Sequence, residues 1–107
     1  METRRDVFQA IADPTRRQII SMLAEQPQNL STVAGYFEMS RQAVTLHIKI
    51  LEECGLVHMT QVGRERYCEA RLKPLEEVAE WVEPYKAFWR GRFKSLDQYL
   101  QKQHKKK

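Results

Sequence analysis

The stretch SRQAVTLHIKILEECGLV, residues 40–57, decides the fold. Val44, Ile48 and Leu51 recur at the three-and-four spacing of one helix face, while Arg41, Gln42, Thr45 and Lys49 fall on the other side. Ser40 is an N-cap residue and Gly55 a helix stop, so the spacing predicts a helix over about 40–54. Beyond Gly55 the period changes. Residues 56–61 and 66–70 read as two strands around Val62-Gly63-Arg64-Glu65, with Gly63 as the turn residue.

Toward the N-terminus, Asn29 is a cap candidate for a short helix with Leu30, Val33, Ala34 and Phe37 inward. Gly35 lies inside it at a cost of roughly 1 kcal/mol against alanine, which predicts a closely packed neighbour. Glu38 and Met39 leave only a tight turn before Ser40. Further upstream, Asp13 and Pro14 start a helix with Ile19, Ile20 and Leu23 buried, and Pro27 ends it. Residues 4–11 read as a short first helix with Val7, Phe8 and Ile11 on one face. Past Pro74 the helical period returns and holds to about Leu100, with a kink or break expected at Pro84, which removes the bond to the Glu80 carbonyl.

The order is four helices, a hairpin and a long helix: a mainly α fold with a two-stranded β-wing, a winged helix-turn-helix. The 107 residues suit one domain, residues 1–101, with 102–107 a basic disordered tail. The net charge of +4 permits a nucleic-acid partner without demanding one. Charge is segregated: Glu76, Glu77, Glu80 and Glu83 follow Pro74, and the residues after Pro84 are dominated by lysine and arginine. Neither a membrane span nor a signal peptide is legible, and the expected location is the cytoplasm.

The polar face of the fourth helix offers the chemistry of base reading. Arg41 suits guanine edges, Gln42 adenine edges, and the Thr45 methyl a thymine methyl. Lys49 is placed for phosphate, and Ser40 sits at the positive end of the helix. Read alone, that face is equally an ordinary solvated one; the short turn before it and the hairpin after it favour DNA. Arg64 and Arg66, alternating on one strand face, can reach a phosphate or a minor groove. His47 borders the inner face, where packing is the commoner role and a phosphate contact the rarer one. No metal-ligand spacing, nucleophile elbow, phosphate loop or dinucleotide fingerprint is present, so no cofactor, no metal and no enzyme is expected. Cys54 and Cys68 read as structural thiols. The last helix carries more aromatic surface than a small domain covers, with Trp81 assigned to the core. Tyr85, Phe88, Trp89, Phe93 and Leu96, together with Val7, Phe8 and Ile11, point to a homodimer.

Several stretches resemble ArsR-type winged-helix repressors: Asp13 to Ile20 (DPTRRQII), residues 40–57, Gly63 to Tyr67 (GRERY), and Leu72 to Leu75 (LKPL) with Trp81, Tyr85, Phe88 and Trp89. The last group resembles a metal-independent branch. The resemblance implies a dimeric bacterial repressor of double-stranded DNA. Its reading positions fall on Ser40, Arg41, Gln42, Thr45 and His47, its wing contacts on Arg64 and Arg66, and its dimer surface on the first and last helices. Departures are Gln42 where proline is common, Leu46 where a polar residue is usual, and the absence of the metal sensors' cysteine pair. An effector, small molecule or protein, stays open. The competing reading is a protein-interaction module that uses the aromatic last helix and has no DNA target.

Overall fold

A computed structural model describes the chain over residues 6–105, with side chains as far as residue 91. The element order is α1 (Val7–Ala10), α2 (Pro14–Glu25), β1 (Gln28–Asn29), α3 (Leu30–Tyr36), α4 (Arg41–Glu53), β2 (Val57–Val62), β3 (Glu65–Ala70) and α5 (Leu75–Lys105). This is the mainly helical winged helix-turn-helix expected from the sequence, with one addition. Gln28 and Asn29 pair antiparallel with Cys68 and Tyr67, so the wing is a three-stranded sheet in the order β1-β3-β2. Two residues are too few to show a strand period, and only the neighbouring hairpin makes them one.

Side-chain caps at Asp13, Asn29 and Ser40 start α2, α3 and α4 where the sequence places them, and Asp6, not read as a cap from the sequence, starts α1. Asp6 accepts from the Gln9 N–H at 2.9 Å, Asp13 from Arg16 at 3.1 Å, Asn29 from Ser31 at 2.7 Å and Ser40 from Ala43 at 3.1 Å. α4 ends in a Schellman motif. The Leu56 N–H reaches the Leu51 carbonyl at 2.9 Å and the Gly55 N–H reaches Glu52 at 3.0 Å. Gly55 has a φ of +78°, which a side chain would strain, and Leu51 and Leu56 are both fully buried. This stop delivers the chain from the reading helix straight into the wing. The hairpin is tighter than read from the sequence, with Val62 opposite Glu65 and only Gly63 and Arg64 in the loop. Gly63 takes the positive φ that the first central position of a II′ turn requires.

The core gathers Ile19 and Leu23 of α2, Leu30 and Val33 of α3, Val44, Ile48 and Leu51 of α4, and Leu56, Val57 and Cys68 of the wing. Four expectations are corrected. Val7 is 3% exposed and belongs to this core, so it has no surface for a partner. Trp81 is 60% exposed and covers little of the core; it meets Phe8 edge-on at 5.9 Å and Tyr85 at 5.8 Å. Nothing lies within 4 Å of a Cβ built on Gly35, so no close neighbour accounts for that glycine. α5 continues as one helix through Pro84, so of the kink or break expected there the break does not occur; one missing hydrogen bond is outweighed by the turns on either side. Its backbone also continues to Lys105, into the stretch read as a tail. The side chains of Phe93 and Leu96 lie outside the described residues.

Asp13 does more than begin α2. Partial burial pushes its carboxyl up. The Arg16 N–H, the His47 ring, the Thr15 N–H and the Arg16 charge outweigh that and leave it lowered from its ordinary value. A lowered carboxyl contributes stability above the unfolded-state value and loses it as pH falls through the folded one. Asp13→Ala is expected to cost about 1 kcal/mol at neutral pH through the lost cap. Asp13→Asn, which keeps the cap, should instead flatten the fall in stability on acidification below about pH 4. Urea titrations at pH 7 and across the acid range check both.

Candidate nucleic-acid interface

The reading helix is held from three sides. Its buried stripe packs on α2, α3 and β2, and its midpoint, His47, is tied to the first helices by Arg16. The Arg16 guanidinium donates from Nε to the Ala10 carbonyl at 2.7 Å and from Nη2 to the Gln9 carbonyl at 3.0 Å. Its Nη1 lies 3.3 Å from Nδ1 of His47. Arg17 donates to the Ile11 carbonyl at 2.7 Å. Together these arginines bind the carbonyls at the end of α1, of which that of Gln9 also accepts from the Ala12 N–H at 3.3 Å. Sequence reading took the start of α2 as a cap and a proline and missed both arginines. Their partners are backbone groups six and seven residues upstream, and no spacing rule marks such contacts.

His47 is accordingly an anchor within the fold. Its Nδ1 also stands 3.9 Å from Asp13 Oδ2, and its side chain is 21% exposed. Because Nδ1 faces both Arg16 and Asp13, it accepts from the guanidinium when it carries no proton and faces the carboxylate when it does. Its Nδ1 is turned toward Arg16 and Asp13 of α2, which accords with the packing role, the commoner of the two expected for it.

The outward side of α4 is continuous. Arg41, Gln42, Thr45, Leu46 and Lys49 line one shallow groove. Thr45 and Lys49 also line a second, which runs along the seam between the helix and the wing beside Glu52, Met59, Thr60, Gln61 and Arg66. The structure thus brings together Arg41, Gln42, Thr45 and Lys49 of α4 with Arg66 of β3. Ser40 stands at the head of the helix with its hydroxyl already accepting from Ala43. Arg64 is a turn residue and not a strand residue, so it does not share a strand face with Arg66 as alternation predicts; it stands at the tip, outside the seam.

Glu52 was not singled out from the sequence, although it lies three residues after Lys49 and helical arithmetic puts it on the same stripe. It is a carboxylate among basic groups. Its field reaches into the sheet, where the Cys68 thiol is pushed up by burial first and by Glu52 second, against the opposing effect of Arg66. A thiol so placed is a poor nucleophile, in keeping with a packing role. Cys54 and Cys68 are not joined in a disulfide. Among the described residues there is no cluster of His, Cys, Asp or Glu able to hold a metal ion, and no helix long and apolar enough to cross a membrane.

With this geometry in view, comparison with known proteins is specific. The family profile described as "Bacterial regulatory protein, arsR family" matches residues 13–59, from the cap of α2 into the first strand of the hairpin. The chain is 27% identical over 77 residues to the transcriptional repressor SdpR of Bacillus subtilis, covering 72% of this chain and 86% of that protein. An ArsR-like transcriptional regulator from Rhodococcus sp. RHA1 superposes with a TM-score of 0.68 at 34% identity, over 90% of this chain and 88% of that one. A crystal structure of an ArsR family transcriptional regulator matches with the same score and identity over 78% of this chain and 86% of its own.

Proposed function

The chain belongs to the ArsR family of bacterial transcriptional regulators, which are not enzymes, and from that premise we propose that it is a homodimeric repressor that binds an inverted-repeat operator in double-stranded DNA. The observation that carries the reading is the unbroken outward surface of Arg41, Gln42, Thr45, Leu46 and Lys49, joined by Arg66 across the seam. Gln42, Thr45 and Arg41 have the donors, acceptors and methyl that base edges in a major groove require. Lys49, Arg66 and the tip residue Arg64 supply the phosphate contacts that set register. Ser40 opens the helix whose positive end faces the backbone.

Dimer formation is the economical way to cover the aromatic face. Trp81, Tyr85, Phe88 and Trp89 are all exposed on α5. Phe8 of α1, which meets Trp81, and Ile11 just after α1 are partly buried and packed on the core. A patch of this kind is the composition of an interface. A two-fold axis through it would set two reading helices on successive turns of one DNA face, and the operator would be a palindrome for the same reason. The repressor named in Bacillus subtilis supports the sense of regulation, because a protein seated on a promoter excludes polymerase.

The test is enrichment of duplexes from a random pool by the full chain, followed by gel-shift titration and sedimentation. An enriched inverted repeat, bound at two chains per duplex and at least 10³ more tightly than random DNA, is the expected outcome. Equal affinity for enriched and random duplexes would overturn the repressor reading. A chain that sediments as a monomer at micromolar concentration would overturn the dimer.

A further inference from the structure

Leu46 is the one residue of the outward α4 surface that hydrogen-bonding chemistry does not explain. It is 59% exposed, and it shares its groove with Arg41, Gln42, Thr45 and Lys49. At about 100° per residue it lies about 160° round the helix from both Val44 and Ile48, so it points away from the core. It also stands four residues after Gln42 and three before Lys49, so it adjoins both on the outward surface.

An occupant for that site must satisfy two conditions at once. The rim is cationic, which calls for a polyanion. Within the groove Leu46 offers a branched hydrocarbon with the Thr45 side chain on the same surface, which calls for an apolar group carried by that polyanion. Among the base edges in a DNA major groove, the only apolar group is the C5-methyl of thymine. We infer that Leu46 is a specificity-determining residue that reads thymine by its methyl group. This rests on the proposed DNA-reading role of α4 and adds the base that this position selects.

The experiment uses the full chain and the tightest duplex enriched from a random pool. Each thymidine is replaced, one at a time, by deoxyuridine, which removes the methyl and leaves base pairing intact. Burying one methyl is worth about fourfold in affinity, so the wild type should lose about fourfold at one or two positions in each half-site. The Leu46→Ala protein should bind the parent duplex more weakly and be indifferent to deoxyuridine at those same positions. Its thermal melt should match wild type, because the side chain touches no core. Indifference of the wild type at every position would overturn the inference, and so would an equal loss in Leu46→Ala, while leaving DNA reading intact. Failure to enrich any duplex over random DNA would instead remove the proposed function, and this inference with it.

Discussion

Lys49→Ala combined with Arg66→Ala is expected to lower operator affinity by about three orders of magnitude at 0.15 M salt. The two cations line one seam from different elements, Lys49 from α4 and Arg66 from β3, and each is expected to meet a backbone phosphate of its own. Each phosphate contact releases counterions and steepens the salt dependence of binding by about 0.9 in the log–log slope, equivalent to roughly fivefold at that ionic strength. A dimer loses four such contacts. The slope should therefore fall by about 3.6, and the loss should be nearly the same on random DNA, since phosphates carry no sequence. Both side chains are exposed, so stability should move by no more than about 0.5 kcal/mol. Fluorescence anisotropy from 50 to 300 mM salt separates the cases. An unchanged slope would mean that the seam does not meet the DNA backbone, and Glu52 beside it would then be a more natural clue to its role.

Phe88→Glu should break the dimer, and with it most of the operator affinity. Phe88 is 71% exposed, the most exposed aromatic described on α5, so a charge there costs the isolated chain little. In a two-fold interface the residue is used twice. If it behaves as an aromatic anchor, each copy contributes about 2 kcal/mol, and the dimer dissociation constant should rise by about 10³. Sedimentation velocity over a concentration series reads this directly, and circular dichroism reports whether the monomer keeps its fold. A variant that stays dimeric would move the interface away from α5. Val7→Ala is not an equivalent probe. Val7 is buried in the core, so its truncation would act through stability and not through assembly.

The contrast between Phe88 and Val7 illustrates what periodicity conveys. Val7, Phe8 and Ile11 share one helix face, and the sequence says that this face is apolar. It does not say which of the three meets the chain's own core and which meets a partner. Trp81 is the converse case, expected inside and found on the aromatic surface. Both outcomes depend on how α1 and α5 lie against each other, and no local pattern encodes that.

The elements themselves were determined by local rules. The caps at Asp13, Asn29 and Ser40, the stop at Gly55, the turn at Gly63 and the apolar stripe of α4 each rest on interactions within one turn or one hairpin, and each stands where the sequence puts it. The outward set of Arg41, Gln42, Thr45 and Lys49 was legible for the same reason, since helical geometry alone separates them from Val44, Ile48 and Leu51. Tertiary structure decided the rest. The pairing of β1 with β3, the seam that joins Lys49 to Arg66, and the turn of His47 toward Arg16 and Asp13 all unite residues far apart in the chain. Those contacts form only when packed elements bring backbone and side-chain groups within hydrogen-bond reach, a condition that spacing along the sequence does not carry.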